Sequence, residues 1–323
     1  MIDSINSIII EGLAFSLPMF IMAIGGIFSE KSGVTNLALE GFQGFGAFTG
    51  SLVAIVLMHT LGADSSIPFW VSLIFAVLGG MLYSLLHAVL CIRFKANQVI
   101  SGVVVNILAM ALTEFLTKRL NTALWNETSN KFVLSVSSRI TIPGISNIPI
   151  IGAVFSKVYP FEFVIIIIAV IMYFVMYGTR FGLHLRACGD NPHAVDAAGI
   201  SVAKVRYAAV MVSGALSGLA GICFAYSISG NFSPAIYMGY GYLSIAAYIF
   251  GNWSIMPTFF ACLLFGLSRS AGYQIIRVLG MPSSYSDLVM ILPYVLTLFL
   301  LVFFSKHTGA PRALGVVYDK GGR

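Results

Sequence analysis

The stretch "FEFVIIIIAVIMYFVMYG" (161–178) places one carboxylate, Glu162, at its edge and then runs without a charge to Gly178. A helix rises about 1.5 Å per residue, so about 20 such residues cross the hydrocarbon layer of a bilayer. A strand of a membrane barrel would instead alternate apolar and polar residues over about ten positions. No alternation is present, so the stretch is a transmembrane helix. Working outward from it, similar runs lie near 8–28, 36–58, 67–91, 97–117, 207–228, 238–252, 254–272 and 285–305. The runs at 238–252 and 254–272 are short and separated only by "NWS", so one of them is expected to be broken or re-entrant. The fold class is all-α, polytopic and membrane-embedded.

Composition supports the same conclusion. Of 323 residues, 58% are hydrophobic and 9% are charged, against about 25% charged in soluble domains. No stretch is long enough for a separate soluble domain, so 1–323 reads as a single transmembrane unit with an external segment at 118–160 and a cytoplasmic loop at 180–206. The first basic residue is Lys31, so the first run lacks the basic flank of a secretory signal and reads as a retained span. The four cysteines, Cys91, Cys188, Cys223 and Cys262, are scattered. That spacing opposes a disulfide framework or a zinc site and leaves apolar packing.

The net charge of +6 marks membrane sidedness, with no nucleic-acid partner expected. Basic residues gather at Arg93 and Lys95, at Arg180, Arg186, Lys204 and Arg206, and at Lys306, Arg312, Lys320 and Arg323. The positive-inside rule puts all three groups in the cytoplasm, and alternation of the runs puts them on one side. The segment 118–160 then faces outward, where "FVLSVSSRITIPGI" (132–145) is rich enough in β-branched residues for a small hairpin or interfacial plug.

Between two apolar runs stands "SEKSGVTNLALEGFQGFG" (29–46). On a helix Asn36, Glu40 and Gln43 fall at i, i+4 and i+7 and share a face. A charged group at the bilayer centre costs about 2.5–3.5 kcal/mol on insertion scales. Glu40 therefore faces water, pairs with a polar neighbour or is protonated. Two readings stand open: a solute path, or polar glue between helices. A second polar stripe, Gln98, Gly102 and Asn106 in "ANQVISGVVVNILAMALTE" (96–114), carries the same pair of readings, because amides serve a polar solute and a neighbouring helix equally well. "SGALSGLAG" (213–221) has Gly214 and Gly218 at GxxxG spacing, which favours tight helix packing. In "YMGYGYLSIAAY" (237–248), Tyr237 suits an interfacial belt, while Tyr240 and Tyr242 suit either a belt or a stacking surface for a ring. "GIFS" (26–29) and "GNFS" (230–233) each precede a Gly-rich break, a weak internal echo of the kind that repeated transporter halves show.

In the loop 180–206, Asn191-Pro192 predicts a turn, His193–Ala198 a short helical run and Gly199 its stop. Such a helix suits a partner's groove. No phosphate-binding loop, H-E-x-x-H metalloprotease motif or G-x-S-x-G elbow occurs, so no catalytic or metal-binding residue is expected.

"GGIFSEKSGVTNLALEGFQGFGAF" (25–48), "ANQVISGVVVNILA" (96–109) and "GLHLRACGDNPHAVDAAGISVAKVR" (182–206) resemble the permeases of bacterial ATP-binding-cassette (ABC) importers of the branched-chain amino acid, ribose and simple-sugar group. Within that group they are most similar to the shorter permease of nucleoside importers. The resemblance implies a type II bundle like the vitamin B12 importer, with about eight to ten helices, some broken, in the bacterial inner membrane. It implies two cassette ATPase subunits, a second and often paralogous permease, and a substrate-binding lipoprotein or periplasmic binding protein. ATP and Mg would sit on the ATPases, with no cofactor on this chain. It places Gly189, Asp190, Asn191, Pro192, His193, Ala197, Ala198 and Gly199 at the ATPase, and Asn36, Glu40, Gln43, Gln98, Asn106 and Tyr240 along or beside the solute path. The expected function is half of a translocation path for a small polar solute, a nucleoside, with ribose, galactose or another simple sugar as the alternative. A proton-coupled secondary transporter using Glu40 or Glu114 is the alternative from another class.

Overall fold

The computed structural model describes residues 2–62, 65–134, 139–148, 150–235, 239–282 and 309–320, together with the single positions 285, 291, 295 and 299. Among the described residues, seven helices are long and apolar enough to cross a membrane. They are α1 (Ile2–Lys31), α2 (Leu39–Leu61), α3 (Ile67–Ala88, continued by a π-helical turn to Arg93), α4 (Gln98–Trp125), α5 (Pro160–Gly178), α8 (Val202–Phe224, continued to Ser229) and α10 (Ile255–Val278). Shorter helices are α6 (Arg180–Asp190), α7 (Pro192–Ala197) and α9 (Tyr240–Phe250). Most of the expected run at 285–305, and Tyr237, lie outside the described residues.

Small residues set the packing. α1 and α8 form the buried centre, with α2 and α3 against α8 and with α10, α9 and α5 around α1. Gly46 of α2 meets the backbone of Gly218, and Gly80 of α3 meets that of Gly214, so close that a β-carbon at either position would collide. The GxxxG pair of α8 is thus a crossing point for two neighbours, as small residues permit in a bilayer where no hydrophobic effect drives helices together. α5 and α4 lie outside, and α5 turns Ile167, Val170 and Phe174 outward. All four cysteines are free and buried.

Several boundaries differ from the sequence reading. α4 continues to Trp125, so the first eight residues of the segment placed outside at 118 are helical. α9 has only eleven residues, about 16 Å of helix, so the run at 238–252 is a half-helix and does not cross the membrane. The loop 180–206 contains an unforeseen helix, α6, capped by Thr179, whose Oγ1 accepts from Gly182 N–H at 3.2 Å. Among the described residues, the β-branched segment forms one isolated bridge, Ile140 to Val158. Its strand β1 (Phe132–Val133) pairs at long range with β2 (Asn231–Phe232), antiparallel, with Phe132 opposite Phe232. Phe48 of α2 packs on both rings at 5.9 Å. The "GIFS" and "GNFS" echo has no common local form, because 26–29 lies inside α1 while 231–232 is β2.

Candidate translocation path and coupling surface

The link between α1 and α2 is built from its own polar side chains. Ser32 and Gly33 (φ +92°) turn the chain after α1, and 34–38 is not helical. Asn36 therefore does not share a helical face with Glu40 and Gln43: the helix starts at Leu39, because Asn36 Oδ1 accepts from Ala38 N–H at 3.0 Å and holds the chain in a turn. Its Nδ2 donates to Ser213 Oγ of α8 at 2.8 Å. Asn36 is fully buried and ties the break to the centre of the bundle.

Glu30, which the sequence reading passed over as part of a polar link, lies buried in the last turn of α1. Trp253 Nε1–H donates to its Oε2 at 2.6 Å. Tyr248 O–H and Asn36 N–H donate to Oε1 at 2.8 and 3.4 Å. Both oxygens are thus held. The helical spacing of Ile24, Ile27 and Glu30 was the available signal for its burial.

Glu40 is placed differently. It sits in the first turn of α2, and its Oε1 accepts from Gly239 N–H, the cap residue of α9, at 2.8 Å. Two helix N-termini, each with about half a positive charge, therefore face one carboxyl group. Gly241 allows the approach, since a β-carbon there would stand 2.7 Å from Glu40 N. Oε2 is buried without a hydrogen-bond partner among the described residues. Glu40 lines a cavity of about 160 Å³ together with Gly44, Asn106, Thr113, Pro234 and Tyr242. Ile107, Met110 and Tyr242 at its rim are exposed. The cavity is smaller than the roughly 300 Å³ at which enclosed small-molecule sites begin, so it has the size of a half-site.

The amides of α4 clamp the break. Asn106 Oδ1 accepts from Gly41 N–H at 2.7 Å, an unpaired donor of the first turn of α2, and its Nδ2 donates to Leu37 O at 2.8 Å and Tyr242 Oη at 3.2 Å. Two turns earlier, Gln98 Oε1 accepts from Thr35 N–H at 2.6 Å. Between them Gly102 leaves room for Leu37. Of the expected path residues, the structure brings Glu40 and Asn106 together at the cavity. Gln98 and Asn36 hold the break beside it. Gln43 is buried away from the cavity, with both amide atoms unpartnered among the described residues. Tyr240 packs on Phe15 and Phe224 at 5.1 Å, behind the cavity.

At the far end of α1 from its N-terminus, α7 has the predicted form. Asn191 Oδ1 accepts from Ala194 N–H at 3.1 Å, Pro192 opens the helix, and Gly199 (φ +79°) stops it. Asp190, Asn191, His193, Ala197, Ala198 and Gly199 are exposed. Gly189 and Pro192 are buried within the chain and present no surface to a partner. Burial pushes the neighbouring Cys188 thiol up to about 11, so it packs as an inert group.

Gly189 is covered by Lys31 at the end of α1 and by the segment 309–320, for which the sequence offered only basic charge. Ala313 N–H donates to Gly189 O at 2.8 Å, and Gly315 N–H to Gly33 O at 3.1 Å. Lys31 Nζ donates to Gly309 O at 2.9 Å, and Arg206 Nε to Ser32 O at 3.1 Å. Lys95 pairs with Asp319 at 2.8 Å, and the Tyr318 ring lies 5.2 Å from His193. Described members of all three basic regions, Lys95, Arg206 and Lys320 among them, meet at this one end, and the strap joins α7 to the α1–α2 break.

Comparison with known proteins agrees with this architecture. The family described as "Branched-chain amino acid transport system / permease component" matches residues 8–301. The nucleoside ABC transporter permease protein NupC of Lactococcus lactis subsp. cremoris is 36% identical, over 99% of this chain and 98% of its own length. The guanosine ABC transporter permease protein NupQ of Bacillus subtilis is 37% identical, over 100% and 99%. A putative glucose ABC transporter permease protein, TsgC13 of Haloferax volcanii, is 28% identical over 77% and 71%. No solved structure matches the chain. The chain belongs to the family of permease components of branched-chain amino acid transport systems. It is a multi-pass protein of the inner membrane and a transport subunit of the ABC class, not an enzyme, and it works with other ABC transporter components.

Proposed function

We propose that this permease subunit forms half of an import path for nucleosides, completed by a second, paralogous permease and driven by two cassette ATPases. The observation that carries the reading is the half-site at Glu40, Asn106 and Tyr242, where two helix N-termini meet at an opening too small to enclose a solute alone. Broken helices whose N-termini meet at midplane are how many transporters present polar groups to cargo. The nucleoside assignment is supported by the names of NupC and NupQ, with which the chain aligns over nearly its whole length. The sugar alternative is supported by the more distant TsgC13.

In this reading the end bearing α6, α7 and the 309–320 strap is cytoplasmic, the N-terminus and 126–159 face outward, and a substrate-binding lipoprotein or periplasmic binding protein delivers cargo there. ATP and Mg bind the ATPases. Closure of the ATPases moves α7, the strap passes that motion to 31–33, and the break carries it to Glu40. This is a two-state rearrangement set by a partner's nucleotide. The test is uptake of labelled guanosine and ribose by the reconstituted complex, with and without ATP. Guanosine uptake that requires ATP is expected. Ribose uptake without guanosine uptake would replace the substrate, and uptake of either on a proton gradient alone would replace the energy source.

A further inference from the structure

α10 carries an arginine where lipid would discourage one. Arg269 lies nine residues before the end of α10 at Val278, about 14 Å along the axis. Among the described residues no ion pair joins it to a carboxylate. Its guanidinium instead stands over three aromatic rings, Phe15 at 4.4 Å, Tyr273 at 4.9 Å and Tyr240 at 5.9 Å, and donates to Tyr240 Oη at 3.4 Å. Arg269, Tyr273 and Arg277 stand at i, i+4 and i+8, so cation, ring and cation follow one another down one helix face. That face borders a cavity of about 470 Å³ whose walls also include Glu11, Ser227 and Gln274. Ser227 Oγ and Arg269 Nε are buried without hydrogen-bond partners among the described residues. A cation inside a span, without an ion pair among the described residues and facing a polar cavity, marks a pathway more readily than a packing role.

We infer that this cavity is a second contact site of the permease, taking the base of a 6-oxopurine nucleoside before it reaches Glu40. The inference rests on the nucleoside reading above and adds the chemical class of base. The size fits, since enclosed sites for small molecules run from about 300 to 1,000 Å³. The polar groups fit as well. A guanine-type base offers adjacent acceptors, O6 and N7, that a guanidinium fork meets with two donors, and N–H donors elsewhere on its rim for a carboxylate such as Glu11, whose Oε1 also accepts from Arg139 at 2.7 Å. Adenine presents an amino donor where O6 would be, which faces a guanidinium unfavourably. The half-buried ring of Tyr273 on the cavity wall accepts any base by stacking, while buried Phe15 backs the guanidinium. Tyr240 joins the sites: its ring and hydroxyl belong to the Arg269 cage, and the preceding residue, Gly239, holds Glu40.

The test uses the complete transporter in vesicles, comparing guanosine, inosine and adenosine. Arg269→Gln should raise the half-saturating concentration of guanosine by roughly five- to a hundredfold, the range expected when one bidentate base contact is lost. The preference for guanosine over adenosine should narrow, with the maximal rate changed far less. Arg269→Lys should fall between, because it keeps the charge and loses the fork. Gln274→Ala, on the same cavity wall, should shift half-saturation in the same direction and serves if the arginine variants fail to assemble. Unchanged half-saturation and selectivity, beside normal uptake by the unsubstituted complex, overturns the inference and leaves the nucleoside reading intact. Equal loss for every base through the maximal rate also overturns it and makes Arg269 a positioning residue for α9. Effects seen only in vesicles of anionic lipid would overturn it in favour of a headgroup. Failure of the unsubstituted complex to carry any nucleoside removes the nucleoside reading and this inference with it.

Discussion

Glu30 and Glu40 flank the same break, ten positions apart, the first buried and the second half-buried, and they live in opposite circumstances. Glu30 receives Trp253, Tyr248 and Asn36, so each oxygen is engaged. Glu40 receives Gly239 on one oxygen and, among the described residues, leaves the other without a partner beside a cavity. A saturated buried carboxyl group specifies structure, because its donors would be stranded without it. An unsaturated one at an opening still has an acceptor to offer a solute. The difference teaches that burial of a carboxyl group in a span does not by itself announce function; the count of its donors does.

That contrast can be broken most forcefully at Glu30. Glu30→Ala strands the Trp253 and Tyr248 donors, each at about 1–3 kcal/mol, so thermal unfolding of the purified complex should drop sharply and the yield of assembled transporter with it. An unaltered melting temperature would remove Glu30 from its structural role. Next comes Glu40→Gln, which keeps an acceptor for Gly239. Assembly and melting should stay normal while ATP-dependent uptake falls roughly tenfold or more, about 1.4 kcal/mol; normal uptake would return Glu40 to polar glue. Gln98→Ala leaves Thr35 N–H unpaired beneath the break, so a melting shift equivalent to about 1–3 kcal/mol is expected, with uptake reduced in proportion to the assembled complex. The smallest effect belongs to Asp319→Ala. The Lys95–Asp319 pair is exposed and is worth about 0–1 kcal/mol, so stability should hardly change. A fall in nucleoside-stimulated ATP hydrolysis at unchanged stability would sharpen the strap's assignment as the link between α7 and the break.

Some of this was legible beforehand. The apolar runs around 8–28 and 161–178 need no tertiary information, because bilayer thickness and helix rise set their length. α7 was equally plain, since Asn191, Pro192 and Gly199 act on their immediate neighbours. The reading went astray where a local rule met a distant partner. Asn36 has helical spacing to Glu40, but Ser213 of α8 and the backbone of Ala38 engage its amide and delay the helix. The β-branched run after Phe132 does contain a strand, but its partner is Asn231–Phe232, on a different part of the chain. Gly189 belongs to a segment suited to a partner, yet the 309–320 strap lies over it.

By itself the sequence determined that this is a helical membrane bundle with broken elements and a short capped helix at one end, because hydropathy, helix length and capping act over a few residues. Only the tertiary structure decided which polar groups are engaged in holding the bundle and which, among the described residues, keep an unused acceptor at a cavity. Two of the three donors that saturate Glu30 come from 218 and 223 residues away, and the one that meets Glu40 from 199. Hydrogen bonds over such separations depend on how helices cross, which no local periodicity encodes.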